Sequence, residues 1–432
     1  MLRIVFTLFV CLTLISGLSA QHHEPCGSHL YMDHLEAAHP GFKQAASQVF
    51  ERVRQEGQAR DLTLLTIPVV VHIVYQNEEQ NLPNEQIQDV IDVLNEDFRR
   101  LNADADQVRD EFVPVVADPF IEFELMGVER VSTTATFELD IFGGGLIDNV
   151  KRSADGGSDA WDTERYLNIW VCNIEGGALL GYAYPPAGLD NWPAGANAPS
   201  PELDGVVIHQ EVFRRTGEFT TSGLFGLEDV TIPVRGRTIT HEVGHYLGLR
   251  HIWGDGTLAI VGIPDCTADD GVADTPNQGL SSQFSCDPEN NGCVDEMNDL
   301  PDMWENYMDY SREDCQNSFT EGQVEIMRSV LMNERASLVE GSVSTQDWAL
   351  NNTLQLQPNP ATSYSLLRWN GEQLNEGAEV RLLNSSGQEV RHWHNWVTQQ
   401  LEIPTADLPA GLYFLEVRGA QERGMKRLVI AQ

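Results

Sequence analysis

His241-Glu242-Val243-Gly244-His245-Tyr246-Leu247-Gly248-Leu249-Arg250-His251 is the stretch on which the reading of this 432-residue chain turns. On a helix, positions i and i+4 differ by about 40° of rotation, so His241 and His245 project from one face and can reach one zinc ion. Glu242, one residue on, can reach a metal-bound water without ligating the metal. Gly248 can take a positive φ and turn the chain sharply at the helix end, which brings His251 round as a third ligand. Three protein ligands leave the fourth position open to water, as catalytic zinc requires. A structural zinc would be closed by a fourth protein ligand, often Cys, and no cysteine lies within the stretch.

The segments around it alternate strand and helix. Residues 67–75 are nearly continuously apolar and β-branched, as in a buried central strand. Pro83 then opens a helical pattern carrying Ile87, Val90, Ile91, Leu94, Phe98 and Leu101. Further strands are expected at 121–128, 167–174, 179–184 and 206–212, and a helix over about 236–249. This alternation predicts an α/β (α+β) domain with a mixed sheet. A long loop-rich segment follows to about 318. Thr320-Glu321-Gly322-Gln323 has capping-box spacing and opens a helix to about 338.

The net charge is −38 and the sequence pI near 4.4, with only three lysines, Lys43, Lys151 and Lys426. That acidity argues against a nucleic-acid partner and against docking on anionic lipid, both of which need clustered basic residues. A 41% hydrophobic share excludes a disordered chain. Arg3, the apolar run 4–15 and Leu18-Ser19-Ala20 read as a secretory signal peptide over residues 1–20. The run is shorter than the ~20 residues a span needs, and no other stretch reads as a transmembrane anchor. Residues 21–60 are polar and His/Glu/Gln-rich, a leader rather than a domain. Cys11 leaves with the signal. Of the six remaining cysteines, Cys266, Cys286, Cys293 and Cys315 crowd together, and an exported context favours disulfides, with three pairings open.

Composition changes near 341. Almost all of the negative charge lies in residues 21–340, and residues 265–314 hold fourteen acids against one basic residue, Arg312. Beyond 341 the charge is nearly balanced. Short apolar runs at 380–383, 411–417 and 426–430 read as strands of a small all-β domain over 350–432.

HEVGHYLGLRH matches the extended zinc motif of the metzincin metalloproteases, and Asn306-Tyr307-Met308-Asp309-Tyr310 looks like their Met-turn. The resemblance to the pappalysin family is closer still. It covers roughly residues 60–338 and includes the words WGDG, DTP and NYMDY and the four cysteines. It implies a catalytic domain over 61–340, with a mixed five-stranded sheet and an active-site helix. It implies that Met308 lies beneath the zinc and that Tyr310 stands near the metal to stabilise the tetrahedral intermediate. It places Asp314, six residues after Met308, in the pocket after the scissile bond, hence cleavage before Arg or Lys. It pairs Cys266 with Cys293 and Cys286 with Cys315, and it lays substrate along the edge strand at 179–184.

Asp269, Asp270, Asp274 and Thr275 form an oxygen-rich cluster of the kind calcium prefers, without the EF-hand pattern. Cys26 sits in the pro-segment, 21–60, where its thiolate could fill the open zinc position; this resembles a cysteine switch. The other reading pairs Cys26 with Cys172, although Cys172 lies in an apolar strand and reads as a buried free thiol. Activation would fall near Arg60. Pro358-Asn359-Pro360-Ala361, then Leu408-Pro409-Ala410-Gly411-Leu412-Tyr413-Phe414, then Lys426-Arg427-Leu428-Val429-Ile430 resemble the C-terminal sorting domain of the type IX secretion system. That implies a Bacteroidetes-like source and passage across the outer membrane; the competing reading is a β-sandwich binding module.

The expectation is a secreted zinc endopeptidase acting on peptide or protein substrates, exported through the periplasm to the medium or outer cell surface by secretion machinery. Glu242 would be its general base. The other class considered is a zinc-stabilised surface adhesin with a vestigial protease site, which would have no need of Glu242.

Overall fold

The run Leu65–Tyr75 (β1) becomes an interior strand of the central sheet because its side chains are buried on both faces. It pairs in parallel with Ile121–Ser132 (β2) on one side and Leu167–Cys172 (β3) on the other. Val206–His209 (β5) continues the parallel set, and Gly181–Ala183 (β4) closes it antiparallel, giving the order β2-β1-β3-β5-β4. This is the mixed five-stranded sheet that was expected. Its edge strand is shorter than the 179–184 run predicted, with Leu180 outside it donating its N–H to Pro25. The computed structural model describes residues 25–56, 63–138, 148–175, 179–186, 201–221, 230–255, 263–297, 299–340, 354–369, 378–384, 389–396, 398–418 and 423–431. The signal at 1–20 and the activation region at Arg60 lie outside these residues.

Strand alternation divides the core. Val69, Val71 and Ile73 face the helix Asn84–Asp97, which buries Ile87, Val90, Ile91 and Leu94, and the active-site helix Arg237–Tyr246, through Ile239 and Val243. Val74, Trp170, Cys172 and Val207 face the other side with Phe137 and Val150. Cys172 is there a buried free thiol. The helix Glu321–Met332 opens with the expected capping box, Thr320 and Gln323 each bonding the other's backbone. It ends six residues before the predicted stop. The chain turns at Asn333, and Arg335 reaches Asp204 and the Tyr246 carbonyl, before a last helix Ala336–Glu340.

The polar N-terminal stretch is more ordered than its composition suggests. It forms helices Ser28–Ala38, Phe42–Ala46 and Gln48–Glu56. A few apolar residues at helical spacing suffice: Val49, Phe50 and Val53 join the main core, and Arg52 makes a paired contact with Glu334.

At the other end, a three-stranded antiparallel sheet (Leu354–Gln357, Tyr364–Trp369, Gln400–Pro404) and a four-stranded one (Ala378–Leu383, Glu389–Trp396, Gly411–Arg418, Arg423–Ile430) share one core containing Leu367, Ile403, Val380, Leu382, Leu415 and Leu428. The sequence signalled three of these strands. The other four are shorter or interrupted by polar residues. No helix among the described residues is long and apolar enough to cross a membrane.

Candidate metal centre and cleft

The active-site helix is buried along its whole length. Such a helix needs its first N–H groups satisfied from elsewhere. Glu313 does this, accepting from the backbone N–H of Arg235, of Arg237 at 3.1 Å and of Thr238 at 2.8 Å. At the other end Gly248, with φ +94°, reverses the chain after Tyr246. His251 is thereby returned to the face that carries His241 and His245.

The three imidazoles converge. Nε2 of His245 lies 3.1 Å from Nε2 of both His241 and His251. Neighbouring donors around a tetrahedral zinc with 2.0–2.1 Å bonds stand about 3.3 Å apart, so the triangle has the size a single ion needs. Each Nδ1 is engaged behind: His241 with the Tyr307 carbonyl at 2.7 Å, His245 with the Leu249 carbonyl at 2.9 Å, His251 with Asp255 at 2.5 Å. These contacts fix the tautomer that leaves Nε2 with its lone pair forward. Burial lowers the pKa of His241 to about 4, and burial together with the neighbouring imidazoles takes His245 and His251 well below the usual range. All three are neutral near pH 7 and available as ligands. This donor set fits zinc.

Cys26 brings a sulfur up to the three imidazoles. Its sulfur and the three histidine nitrogens all lie within 4.8 Å of one another, and it forms no disulfide with Cys172. Its segment adds itself to the sheet edge: Gly27 N–H donates to Gly181 at 2.9 Å, Leu180 N–H to Pro25 at 2.7 Å, and Cys26 pairs with Gly181 in parallel. Ser28, which the sequence did not single out, accepts from Ala183 N–H at 2.9 Å and lies 3.3 Å from Glu242 Oε2. The Cys26 thiol is 3.4 Å from the same oxygen. Burial raises Glu242 to about pH 8, offset in part by these bonds from Cys26 and Ser28. Gly181 is required by proximity: a Cβ there would lie 2.9 Å from Glu242 Cγ.

Met308 packs beneath the helix so closely that a Cβ on Gly244 would come within 2.4 Å of its sulfur. The turn that carries it also supplies the Tyr307 carbonyl to His241. The Tyr307 hydroxyl donates to Asp97, which also accepts from Thr240. Asp97 thus links the sheet-covering helix, the active-site helix and the turn, and nothing in its helical pattern marked it. Asp255 was legible only as a letter of WGDG. The Tyr310 ring lies 4.8 Å from that of His251 and 5.6 Å from that of His241.

A cavity beside His241 and Glu242 is lined by Ile232, Thr238, Phe284, Asp309, Tyr310 and Gln316. Asp314, the expected specificity residue, does not line it; its carboxylate is held by Arg312 at 2.9 Å. Besides Glu242 and the helix-capping Glu313, the buried acid lining this cavity is Asp309. One of its oxygens accepts from Ser282 N–H and the Gln278 amide, the other is buried without a hydrogen-bond partner, and burial pushes its pKa up to about 7.

The acid-rich loop carries both disulfides of the implied pairing, Cys266–Cys293 and Cys286–Cys315. Among the described residues, no three of its carboxylates converge within 4.8 Å of one another. Asp270 Oδ2 and Asp274 Oδ1 are nevertheless buried and without hydrogen-bond partners. Asp269 caps Gly271, and Thr275 donates to Asp270.

Comparison with known proteins agrees with this site. Residues 217–332 match the model of the pregnancy-associated plasma protein-A peptidase family, and residues 355–431 match the secretion system C-terminal sorting domain. An extracellular metalloprotease of Arthroderma otae is 30% identical over 243 residues, covering 50% of this chain and 72% of that protein. Mature mirolysin of Tannerella forsythia, solved with a cleaved peptide, is 41% identical with a TM-score of 0.53, covering 64% of this chain and 96% of that one. A promirolysin mutant from the same organism is 37% identical with a TM-score of 0.58, covering 74% of this chain and 98% of that one. The chain belongs to the pregnancy-associated plasma protein-A (pappalysin) family and is an extracellular metalloprotease with a type IX secretion sorting domain at its C-terminal end.

Proposed function

We propose that this protein is a zinc endopeptidase made as a latent precursor. The observation that carries the reading is the convergence of three neutral imidazole Nε2 atoms with Glu242 beside them and Cys26 in front. Zinc held by His241, His245 and His251 would acidify a water and polarise the scissile carbonyl. Glu242 accepts the proton of the attacking water and delivers it to the leaving amine. The Tyr310 hydroxyl donates to the oxyanion as charge develops. Met308 supports the helix from below. The extended substrate pairs with β4, the edge that Pro25–Gly27 occupies in this structure.

Residues 21–60 act as the pro-segment, behind a signal peptide at 1–20. Cys26 closes the zinc site as a thiolate, while Ser28 holds Glu242 and the edge strand. The better coverage of this chain by promirolysin than by mature mirolysin supports that division. The catalytic domain then spans 61–340 and the sorting domain 350–432.

Cleavage before Arg or Lys is part of the proposal, and its support is a cavity beside the reacting centre that holds a buried acid with an unused oxygen. Asp309 and Asp314 are the two acids able to receive a basic side chain, Asp314 after exchanging Arg312 for it. Calcium at Asp269, Asp270, Asp274 and Thr275 is supported by the two buried, unpartnered carboxylate oxygens there. Hydrolysis of casein by activated enzyme, abolished by chelator and restored by zinc alone, tests the core of the reading. Digestion of a peptide library by wild type, Asp309→Asn and Asp314→Asn tests specificity. No basic preference after the cut would end that part.

A further inference from the structure

The outer face of the C-terminal four-stranded sheet carries a second group of metal-ligating side chains. Its edge strand Glu389–Trp396 pairs antiparallel with Ala378–Leu383, Val380 opposite Trp393 and Arg381 opposite His392. Side chains alternate across a strand, and Val380 and Leu382 enter the core. Glu379 and Arg381 therefore face outward. His392 and His394, two residues apart, share that face. His392 Nε2 lies 3.6 Å from one Glu379 oxygen, and His394 Nδ1 lies 3.7 Å from the other. The two rings stand 3.8 Å apart at centroid. One donor atom from each of the three residues lies within 4.8 Å of the other two.

We propose that Glu379, His392 and His394 form a second metal site, on the sorting domain, which takes a divalent ion of the zinc class. Two imidazoles and a carboxylate suit zinc rather than the all-oxygen shell of calcium or magnesium. The nitrogen-to-oxygen separations exceed hydrogen-bond length, so the rings stand around the carboxylate without closing on it. Reaching the roughly 3.3 Å of a tetrahedral site brings donor atoms that now lie within 4.8 Å of one another closer by up to about 1.5 Å. That movement is easy, since the His394 and Glu379 side chains are 71% and 47% exposed. Arg381 also reaches Glu379, at 3.4 Å, and is the group an incoming cation displaces. Three donors on an open strand leave the fourth position facing solvent for water.

The test counts zinc on the full chain, stripped with chelator, re-equilibrated with excess zinc alone and gel-filtered before elemental analysis. Wild type retains one more zinc per chain than His392→Ala/His394→Ala. The catalytic-site variant His245→Ala loses the other ion and keeps this one. Glu379→Gln weakens the site about tenfold or more, and Arg381→Ala tightens it. Metal-free melting curves of wild type and the double variant should coincide, which separates ligand loss from misfolding. Equal zinc content in wild type and the double variant overturns the proposal.

Discussion

Among the described residues two places gather imidazoles around a candidate metal position, and they are built to opposite standards. In the cleft, three histidines are buried, neutral and held from behind by Tyr307, Leu249 and Asp255, so their nitrogens stand near final positions. On the C-terminal sheet, His392 and His394 meet Glu379 through strand alternation alone, with donors that lie within 4.8 Å of one another and have yet to close on an ion. The difference teaches what chemistry requires beyond ligand identity. A catalytic ion must be placed reproducibly against a base and an oxyanion donor, and the second layer of contacts does this. A surface ion needs only to be held.

The sharpest way to break that comparison is to loosen the cleft's second layer. Asp255→Asn is expected to weaken zinc affinity by about 10–100-fold while leaving all three ligands in place. Titration with a competing chelator reads this directly, and unchanged affinity would reduce the cleft to the standard of the exposed site. Removing the Cys26 sulfur comes next. Cys26→Ala should raise the casein-cleaving activity of uncut precursor by about tenfold or more if, as proposed, the Cys26 sulfur takes the water position. Latency that survives the change would transfer it to Ser28 and the strand pairing.

Gly244→Ala probes the floor. With Met308 sulfur 2.4 Å from the new Cβ, the expected cost is about 1–3 kcal/mol in a denaturant melt, relieved by adding Met308→Ala. A neutral outcome would mean that the turn moves freely beneath the zinc.

The smallest effect concerns the acid-rich loop, the proposed calcium site. Burial raises Asp270 to about 8 from an ordinary 3.8, so the folded chain binds its proton more tightly than the unfolded one. That stabilisation is complete below about pH 4 and is lost as pH rises through 8. The melting temperature of wild type should therefore fall relative to Asp270→Asn between about pH 4 and 8, and calcium should cancel the fall. Parallel curves without calcium would show that Asp270 is not the responsive group.

Local patterns were readable wherever spacing alone determines position. The helix face that carries His241 and His245, the glycine turn to His251, the capping box at Thr320 and the burial of 67–75 follow from period and backbone chemistry. What could not be read depends on partners distant in the chain. Glu313 caps a helix more than seventy residues earlier, and Asp97 reaches Tyr307 across 210 positions. Asp314 was expected in the cleft, yet its neighbour Arg312 holds it outside. The N-terminal helices were concealed by a polar composition whose few apolar residues happen to meet the main core. His392 and His394 carried no signal, since without the strand register nothing set them beside Glu379.

In the proposed mechanism Glu242 moves the proton while the histidines only hold the metal. The most direct test is activated Glu242→Gln compared with wild type for zinc content and casein hydrolysis in one preparation. Full zinc occupancy is expected, with activity reduced by about 10²–10⁴-fold. Activity near the wild-type level with zinc in place would contradict it.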